Sequence, residues 1–314
     1  MALRFSMINH TTSQVERNDG SDRHNQPSFC ALIINPSSGG YEKEKVAVAV
    51  AALERSGLTA ELFIARSVED IESCSRRICA RHERPLLIAG GGDGTVNGVL
   101  NGLSSSATLA LLPLGTSNVL AAELAITSID DAVDKIVRGK TRPLSVGLLS
   151  SGERQRYFFL MAGIGVDGSV VERVGATGKR LLGKGAYCLS VLRCLLCWER
   201  EKLAVVLDGI EEECHSVIVC NAAHYGGAFR LAPGTDISSS RFEVICIKSD
   251  KRRTYAKLAL HVIAGKGIFK EEMLRFPAHD VVISGRKPVQ IDGDFFGFSP
   301  VTIRMVSGYA RIIV

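Results

Sequence analysis

The sequence predicts two structural units in series: a layered α/β unit built on a parallel sheet, then a mainly antiparallel β unit. Three observations carry this. The chain has 314 residues, more than one core usually organises and suited to two units of roughly 150 residues. From residue 29 to about Thr141, short apolar runs alternate with stretches of helical periodicity, the rhythm of parallel strands joined by helical crossovers. After Thr141 the pattern becomes a series of short strands of period two, interrupted by helical stretches near 169–198 and 252–264.

In the first unit, FCALIINP (residues 29–36) is an apolar run stopped by Asn-Pro, hence a buried strand. Tyr41–Gly57 has helical spacing at Val46, Val50 and Leu53 and ends on Gly57, a suitable C-cap. A strand is expected over Leu58–Ala65, a helix over Val68–His82 and a fully apolar strand over Pro85–Ala89. A glycine-rich turn at 90–94 leads to a helix from Thr95 to about Leu103; Leu109–Pro113 is the next strand, ending in LGTSN before another helix. In the second unit strands are expected at 144–149, 156–161, 203–208, 215–221, 242–247, 280–284, 289–292, 301–306 and 309–314.

Composition sets the class. With 46% hydrophobic and 23% charged residues the chain is an ordinary globular protein, not a disordered, collagen-like or multi-span membrane one. Its net charge of +5 is too small to point to nucleic acid. Residues 251–290 hold nine Lys or Arg against three acids, an excess of +6 that accounts for all of it. The nine cysteines have no repeated spacing. Cys194 and Cys197 form a lone C-x-x-C without a second pair at zinc spacing, while Cys74, Cys79, Cys188, Cys220 and Cys246 sit in apolar stretches as reduced core thiols. That fits a reducing cytoplasm. Residues 1–28 are polar, with three basic and three acidic residues and no apolar run, and read as a disordered lead-in rather than a signal peptide. The apolar run Ala186–Trp198, broken by Arg193, is shorter than the ~20 residues a membrane span needs.

Chemistry concentrates in three loops. GGGDGTVNG (Gly90–Gly98) joins an apolar strand to a helix. Its glycines let backbone N–H groups converge and the helix N-terminus adds its positive dipole end, so phosphate is the natural guest. Neither the P-loop nor the dinucleotide fingerprint matches, because no Lys follows and Asp93 falls inside the turn. A carboxylate there would repel phosphate unless a cation intervened, which makes Asp93 a candidate ligand of Mg²⁺ carried by a nucleotide. NPSSGG (Asn35–Gly40) and PLGTSN (Pro113–Asn118) follow two further strands. In a parallel sheet these strand ends share one crevice, where ligands bind. Each loop alone also reads as a plain turn or helix entry; together they favour a nucleotide site.

The N-P-x-S-G loop, the GGGDGT-x-N turn, the P-x-GT-x-N loop and a late DGD element occur in that order. They resemble the diacylglycerol kinase catalytic-domain family, which includes bacterial lipid kinases and sphingosine kinases. The likeness runs from about residue 29 to 314 and includes FFLMAGIGVDGSV (158–170) and HYGGAFRLAP (224–233). GGGDGT alone is shared with NAD kinases. The resemblance implies an ATP- and Mg²⁺-dependent lipid kinase. Residues 29–141 would form the nucleotide-binding α/β domain, residues 142–302 a β-sandwich-like lipid domain, and residues 303–314 would return to the first. ATP would be held by Asn35, Pro36, Ser37, Ser38, Gly39, Gly91, Gly92, Asp93, Gly94, Thr95, Val96, Asn97 and Thr116. Asp294, with Asp292 beside it, would accept the proton of the lipid hydroxyl, an assignment the chemistry supports because such a hydroxyl is a poor nucleophile.

This chain departs from the family pattern in three places. Asp294 stands where the family usually has Glu. Ser239, in ISSS (Ile237–Ser240), stands where the family's structural metal loop carries Asp, which counts against a second, structural Mg²⁺. Val119 follows GTSN in place of the more common Asp. Two rival readings follow: an NAD kinase-like phosphotransferase, against which NPSSG, DGD and the basic segment count, and a catalytically weak lipid-binding or regulatory protein on the same fold. The basic segment KRRTYAKLALHVIAGKG carries Leu258, Val262 and Ile263 near one helical face and could dock on an anionic membrane surface; domain packing is the competing role. Leu189–Leu196 could line an acyl pocket or pack the core. His224 and His261 lack ligand spacing and read as structural. The expected setting is cytoplasmic, peripheral to a membrane, in lipid metabolism, with no nucleic-acid partner and the homo-oligomeric state open.

Overall fold

Leucine-, isoleucine- and alanine-rich runs with almost no polar residue can be satisfied only between two helical layers, and such runs make the central strands. The computed structural model describes residues 29–173, 200–225, 229–263 and 273–314, with backbone only for Phe229 and for 259–263. In the first unit β1 (Phe29–Ile34), β2 (Glu61–Ile64), β3 (Pro85–Gly91) and β4 (Thr108–Pro113) lie parallel in the order β2-β1-β3-β4. Their crossovers are α1 (Lys43–Arg55), α2 (Val68–Arg81) and α3 (Asp93–Asn101). Ser67 starts α2 by accepting the Asp70 N–H at 3.1 Å, a side-chain N-cap. After β4 come the short α4 (Val119–Glu123) and α5 (Ile129–Arg138), the latter capped by Ser128 and closed by Gly139 at φ 67°.

The second unit is antiparallel. Its strands are β5 (Thr141–Ser151), β6 (Arg154–Phe158), β7 (Met161–Ile164), β8 (Leu203–Leu207), β9 (Ile210–Cys214), β10 (Ser216–Cys220), the two-residue β11 (His224–Tyr225) and β12 (Phe229–Arg230), β13 (Phe242–Ile247), β14 (Met273–Ala278), β15 (Asp280–Ser284), β16 (Pro288–Ile291), β17 (Asp294–Phe298) and β18 (Val301–Ile313). Helix α6 occupies 166–173 of the described chain, and α7 is Arg252–Ile263. One sheet runs β14-β13-β10-β7-β16-β17. It packs against β8, β15 and the first part of β18 through a shared cluster that includes Phe158, Ile164, Val205, Val217, Phe242, Val281, Val289 and Ile303. The result is a β-sandwich beside a parallel α/β layer.

β18 joins the two. Thr302–Arg304 pair with β15, Arg311 and Ile312 pair in parallel with β4, and β5 runs antiparallel along nearly its whole length. The register shifts between Val306 and Ala310, where Gly308 takes φ +59°. The two strands expected at 301–306 and 309–314 are therefore one strand with an irregularity.

Other boundaries shift for identifiable reasons. The strand expected at 156–161 splits into β6 and β7 because the N–H groups of Phe159, Leu160 and Met161 turn aside to Asp292. α3 begins at Asp93 rather than Thr95. β9 escapes detection because its Glu-Glu-Glu core has no apolar alternation; it pairs with β8 across a left-handed Asp208–Gly209 turn (φ 47° and 91°). β14 and β17 likewise lie outside the expected strands. The lead-in 1–28, most of the helix expected at 169–198, the run Leu189–Leu196 with Cys188, Cys194 and Cys197, and the side chains of His261, Val262 and Ile263 lie outside what the structure describes. Among the described residues Cys30, Cys74, Cys214, Cys220 and Cys246 are buried free thiols and Cys79 is partly buried, and no helix is long and apolar enough to cross a membrane.

Candidate functional site

Parallel pairing brings the C-terminal ends of β1, β3 and β4 side by side, and the three glycine-containing loops meet there. The Asn35 N–H donates to Gly90 O at 3.0 Å, Gly40 N–H to Leu114 O at 2.9 Å and Leu114 N–H to Gly91 O at 3.1 Å. The contacts leave no room for side chains. A Cβ on Gly115 would lie 2.3 Å from Gly92 Cα, one on Gly91 2.2 Å from Thr95 Oγ1, and one on Gly39 2.5 Å from Thr116 Oγ1. Ser37, Gly39, Thr116 and Ser117 are exposed around the mouth, with Pro36, Ser38, Gly92 and Gly94 half-buried. Asn35 braces the rim: its Oδ1 accepts the Ser37 N–H at 2.9 Å and its Nδ2 donates to Thr95 Oγ1 at 3.3 Å.

Asp93 binds this turn to the next loop. Its two oxygens accept the N–H groups of Val119 (3.0 Å) and Leu120 (3.1 Å), the first residues of α4. Burial pushes its carboxyl above the ordinary range, the Val119 and Leu120 N–H groups oppose this, and the charge of Asp294 adds to it. Asp294, at the start of β17, is exposed, and a Cβ on Gly94 would sit 3.9 Å from its Oδ2. The DGD element from the second unit therefore faces the glycine turn of the first.

Asp292 has another place. Its carboxylate accepts from Asn97 Nδ2 (2.9 Å), Phe159 N–H (3.1 Å), Leu160 N–H (2.9 Å) and Met161 N–H (3.1 Å). Burial pushes its pKa up to about 7 against these four donors. Asn97 is equally committed. Its Nδ2 also reaches Tyr157 O at 3.2 Å, and its Oδ1 accepts Arg156 Nε and Nη2 at 3.2 and 3.0 Å. Arg156 closes the network on Glu72 Oε2 at 2.9 Å. Asp292 and Asn97 thus tie the two units together, while Thr95 and Val96 are buried in α3 at 2% and 4% exposure. The open face of the turn consists of Gly92, Asp93 and Gly94.

Several polar residues near the cleft lie outside the candidate site residues read from the sequence. Glu123, on α4, accepts the His224 N–H at 3.2 Å and lies 2.5 Å from His224 Nδ1, so His224 bridges the units. Asp167 takes the Tyr225 hydroxyl and, at 2.6 Å, Gln290 Nε2. Burial raises its carboxyl and these two bonds oppose the rise. The available hints are Gln290 itself, a polar residue inside the apolar run Pro288–Ile291, and the place of Asp167 within the segment 158–170.

For metals, no group of three or more His, Cys, Asp or Glu among the described residues is placed to hold an ion. In the loop where the resemblance implies a structural metal, Arg142 Nη1 donates to Asp236 at 2.8 Å and the Ser238 N–H at 2.7 Å; a guanidinium already balances that carboxylate. The basic start of α7 presents Arg252 and Arg253, with Lys251 just before it, to solvent. It is anchored by Tyr255, which donates to Ser216 Oγ at 2.9 Å and lies 2.7 Å from His215 Nδ1, and by Leu258, packed against the main core.

Known proteins share this architecture. Residues 30–149 match the diacylglycerol kinase catalytic domain, and residues 161–314 match the YegS C-terminal NAD kinase beta sandwich-like domain. The diacylglycerol kinase of Bacillus subtilis (strain 168) is 27% identical over 279 residues, covering 86% of this chain and 90% of that protein. The diacylglycerol kinase of Staphylococcus carnosus (strain TM300) is 24% identical over 278 residues, covering 86% and 89%. A crystal structure of a diacylglycerol kinase from Bacillus anthracis str. Sterne superposes with a TM-score of 0.68 at 19% identity, covering 92% of this chain and 97% of the other.

Proposed function

Because the chain belongs to the diacylglycerol kinase catalytic-domain family, we propose that it transfers the γ-phosphate of ATP to a hydroxyl of a diacylglycerol-like lipid, with Asp294 as proton acceptor. The observation that carries this reading is the approach of Asp294 Oδ2 to Gly94. It sets a carboxylate from the second unit beside the turn whose backbone N–H groups, at the N-terminus of α3, suit the phosphates.

The loops at Asn35–Gly39, Gly91–Thr95 and Thr116 would hold the nucleotide. The lipid would enter between the units, where the Glu123–His224 contact spans the cleft. Mg²⁺ would come with the nucleotide, with Asp93 and Asp294 the carboxylates beside it, and would supply charge neutralisation at the phosphate oxygens. In the transfer the lipid oxygen bonds to the γ-phosphorus, the bond to the β–γ bridging oxygen breaks, and ADP leaves. Asp294 takes the hydroxyl proton. Asp292 and Asn97 act one step back, holding the turn that carries Asp294 against α3. The exposed cations of α7 would attract an anionic leaflet and bring the enzyme to its substrate.

Transfer of labelled γ-phosphate from ATP to diacylglycerol in mixed micelles tests the reading, with monoacylglycerol, a sphingoid base, phosphatidylglycerol and NAD run in parallel. Label in diacylglycerol, lost in Asp294→Asn, is the expected result. Label in NAD alone would replace it with the NAD kinase reading. ATP binding without transfer to any acceptor would favour a catalytically weak binding protein on the same fold.

A further inference from the structure

β16 and β17 are joined by a two-residue reversal, Asp292 at φ 48° and Gly293 at φ 83°, both in the left-handed region that such hairpin loops require. Ile291 pairs with Asp294 across it, so the aim of Asp294 depends on how this turn is held. The Asp292 carboxylate clamps one side. Gln290, 1% exposed, holds the other: its Oε1 accepts the Gly293 N–H at 2.7 Å, and its Nε2 donates to Asp167 Oδ2 at 2.6 Å.

A glutamine amide can be turned over, and here the reversed amide would point Nε2 at the Gly293 N–H, donor against donor. A carboxylate can only accept, so Asp167 permits one orientation. Its own position is fixed by the Tyr225 hydroxyl on Oδ1 and by close packing. A Cβ on Gly163 would lie 1.8 Å from Asp167 Oδ2, and one on Gly168 would lie 2.1 Å from Pro288 O. The start of α6 is thereby pressed directly onto β16.

We infer that Asp167 and Gln290 are positioning residues for phosphoryl transfer: Asp167 sets the orientation of the Gln290 amide, and Gln290 fixes the Gly293 peptide so that Asp294 faces Gly94. This rests on the reading of Asp294 as proton acceptor. Neither residue need touch ATP or lipid for it to hold.

A side-chain exchange tests it. In Gln290→Glu two carboxylates face each other; in Asp167→Asn one carbonyl oxygen is left for two donors, Gln290 Nε2 and the Tyr225 hydroxyl, so the Gln290 amide is no longer locked and turns away from the Gly293 N–H whenever the Asn oxygen serves Tyr225. In the double variant Asp167→Asn with Gln290→Glu, the Asn amide donates to one Glu oxygen, its carbonyl keeps the Tyr225 hydroxyl, and the second Glu oxygen accepts the Gly293 N–H. Both bonds are restored with donor and acceptor exchanged. Each single variant should lower kcat for transfer to diacylglycerol about 10- to 100-fold, the scale of a 1 Å misplacement, with the KM for ATP changed by less than about twofold. Each should also speed hydrogen exchange at the Gly293 amide. The double variant should recover kcat to within about threefold of the parent and restore the amide's protection.

A double variant as slow as Asp167→Asn would overturn the proposal and give Asp167 a direct role at the substrate. Unchanged exchange at Gly293 in Gln290→Leu would overturn the orienting role itself. A parent enzyme that labels no lipid would remove the kinase reading and the catalytic half of this inference, while the exchange measurement would still decide whether Asp167 and Gln290 hold the turn.

Discussion

The side-chain amide of Asn97 donates to Asp292 Oδ2 at 2.9 Å, joining residues 195 positions apart in the chain. One lies on the helix that opens with the glycine turn, the other in the turn that carries Asp294. The side-chain link from α3 to the turn of the proposed proton acceptor therefore runs through this amide, itself held by Arg156 and Tyr157.

Asn97→Leu should leave the Arg156 guanidinium and the Asp292 carboxylate short of a partner at a half-buried interface. Removing one member of such a network costs about 3 kcal/mol. Urea unfolding should show that loss, and phosphate transfer should fall with it. A variant as stable as the parent would mean that the network contributes little.

Asp292 should leave a signature in the pH dependence of stability. Its carboxyl holds a proton up to about 7 in the folded chain but titrates near ~3.9 unfolded. Between those values the folded state binds the extra proton. Stability from this group is therefore full below the unfolded pKa, falls as pH rises through the window, and levels off above the folded value. Urea midpoints at several pH values should trace this decline, and Asp292→Asn should flatten it.

Asp294→Asn should reduce transfer by about 10²–10⁴-fold, the contribution of a positioned general base, with the melting temperature unchanged because the residue is exposed. Asp294→Glu should also be slower, by about tenfold or more, if this turn is built for the shorter side chain. Steady-state kinetics against the same lipid decides both. A faster Glu variant would show that the Asp is a weakened form.

Gly115→Ala should disrupt the nucleotide loops. Its Cβ would meet backbone, 2.3 Å from Gly92 Cα, and backbone cannot turn aside as a side-chain tip can. Overpacking of this kind costs about 1–3 kcal/mol. ATP affinity measured by calorimetry should drop together with the melting temperature.

Replacing Lys251, Arg252 and Arg253 by Gln should weaken binding to anionic vesicles by about 1 kcal/mol for each charge removed, and added salt should erase the difference. Transfer to a short-chain lipid below its micelle concentration should stay unchanged. Vesicle sedimentation and a soluble-substrate assay separate the two effects.

The sequence made the first unit legible because its signals are local. Apolar runs such as Leu86–Ala89, glycines at strand ends and the C-cap at Gly57 each report on a few neighbouring residues. Asp93 and Asp294 were visible for the same reason, as carboxylates inside recognisable turns. What stayed hidden depends on distant partners. Nothing around Asp292 announces that three backbone amides from 159–161 will bind it, so the break between β6 and β7 was missed along with its cause. Asp167, Gln290, Glu123 and Arg156 become meaningful only when strands far apart in sequence are paired. The acidic β9 was missed because pairing with β8, not its own composition, makes it a strand.

β18 also bears on how the chain is made. The parallel layer is translated first, yet β4 receives its second neighbour only when Arg311 and Ile312 arrive. Until then β4 presents an unpaired edge beside a largely apolar face, the kind of surface that captures other chains. The first unit must wait on the ribosome, or be shielded, through synthesis of the whole second one. Substitutions in Arg311–Ile313 should therefore act on the yield of folded protein more than on the chemistry of molecules that do fold.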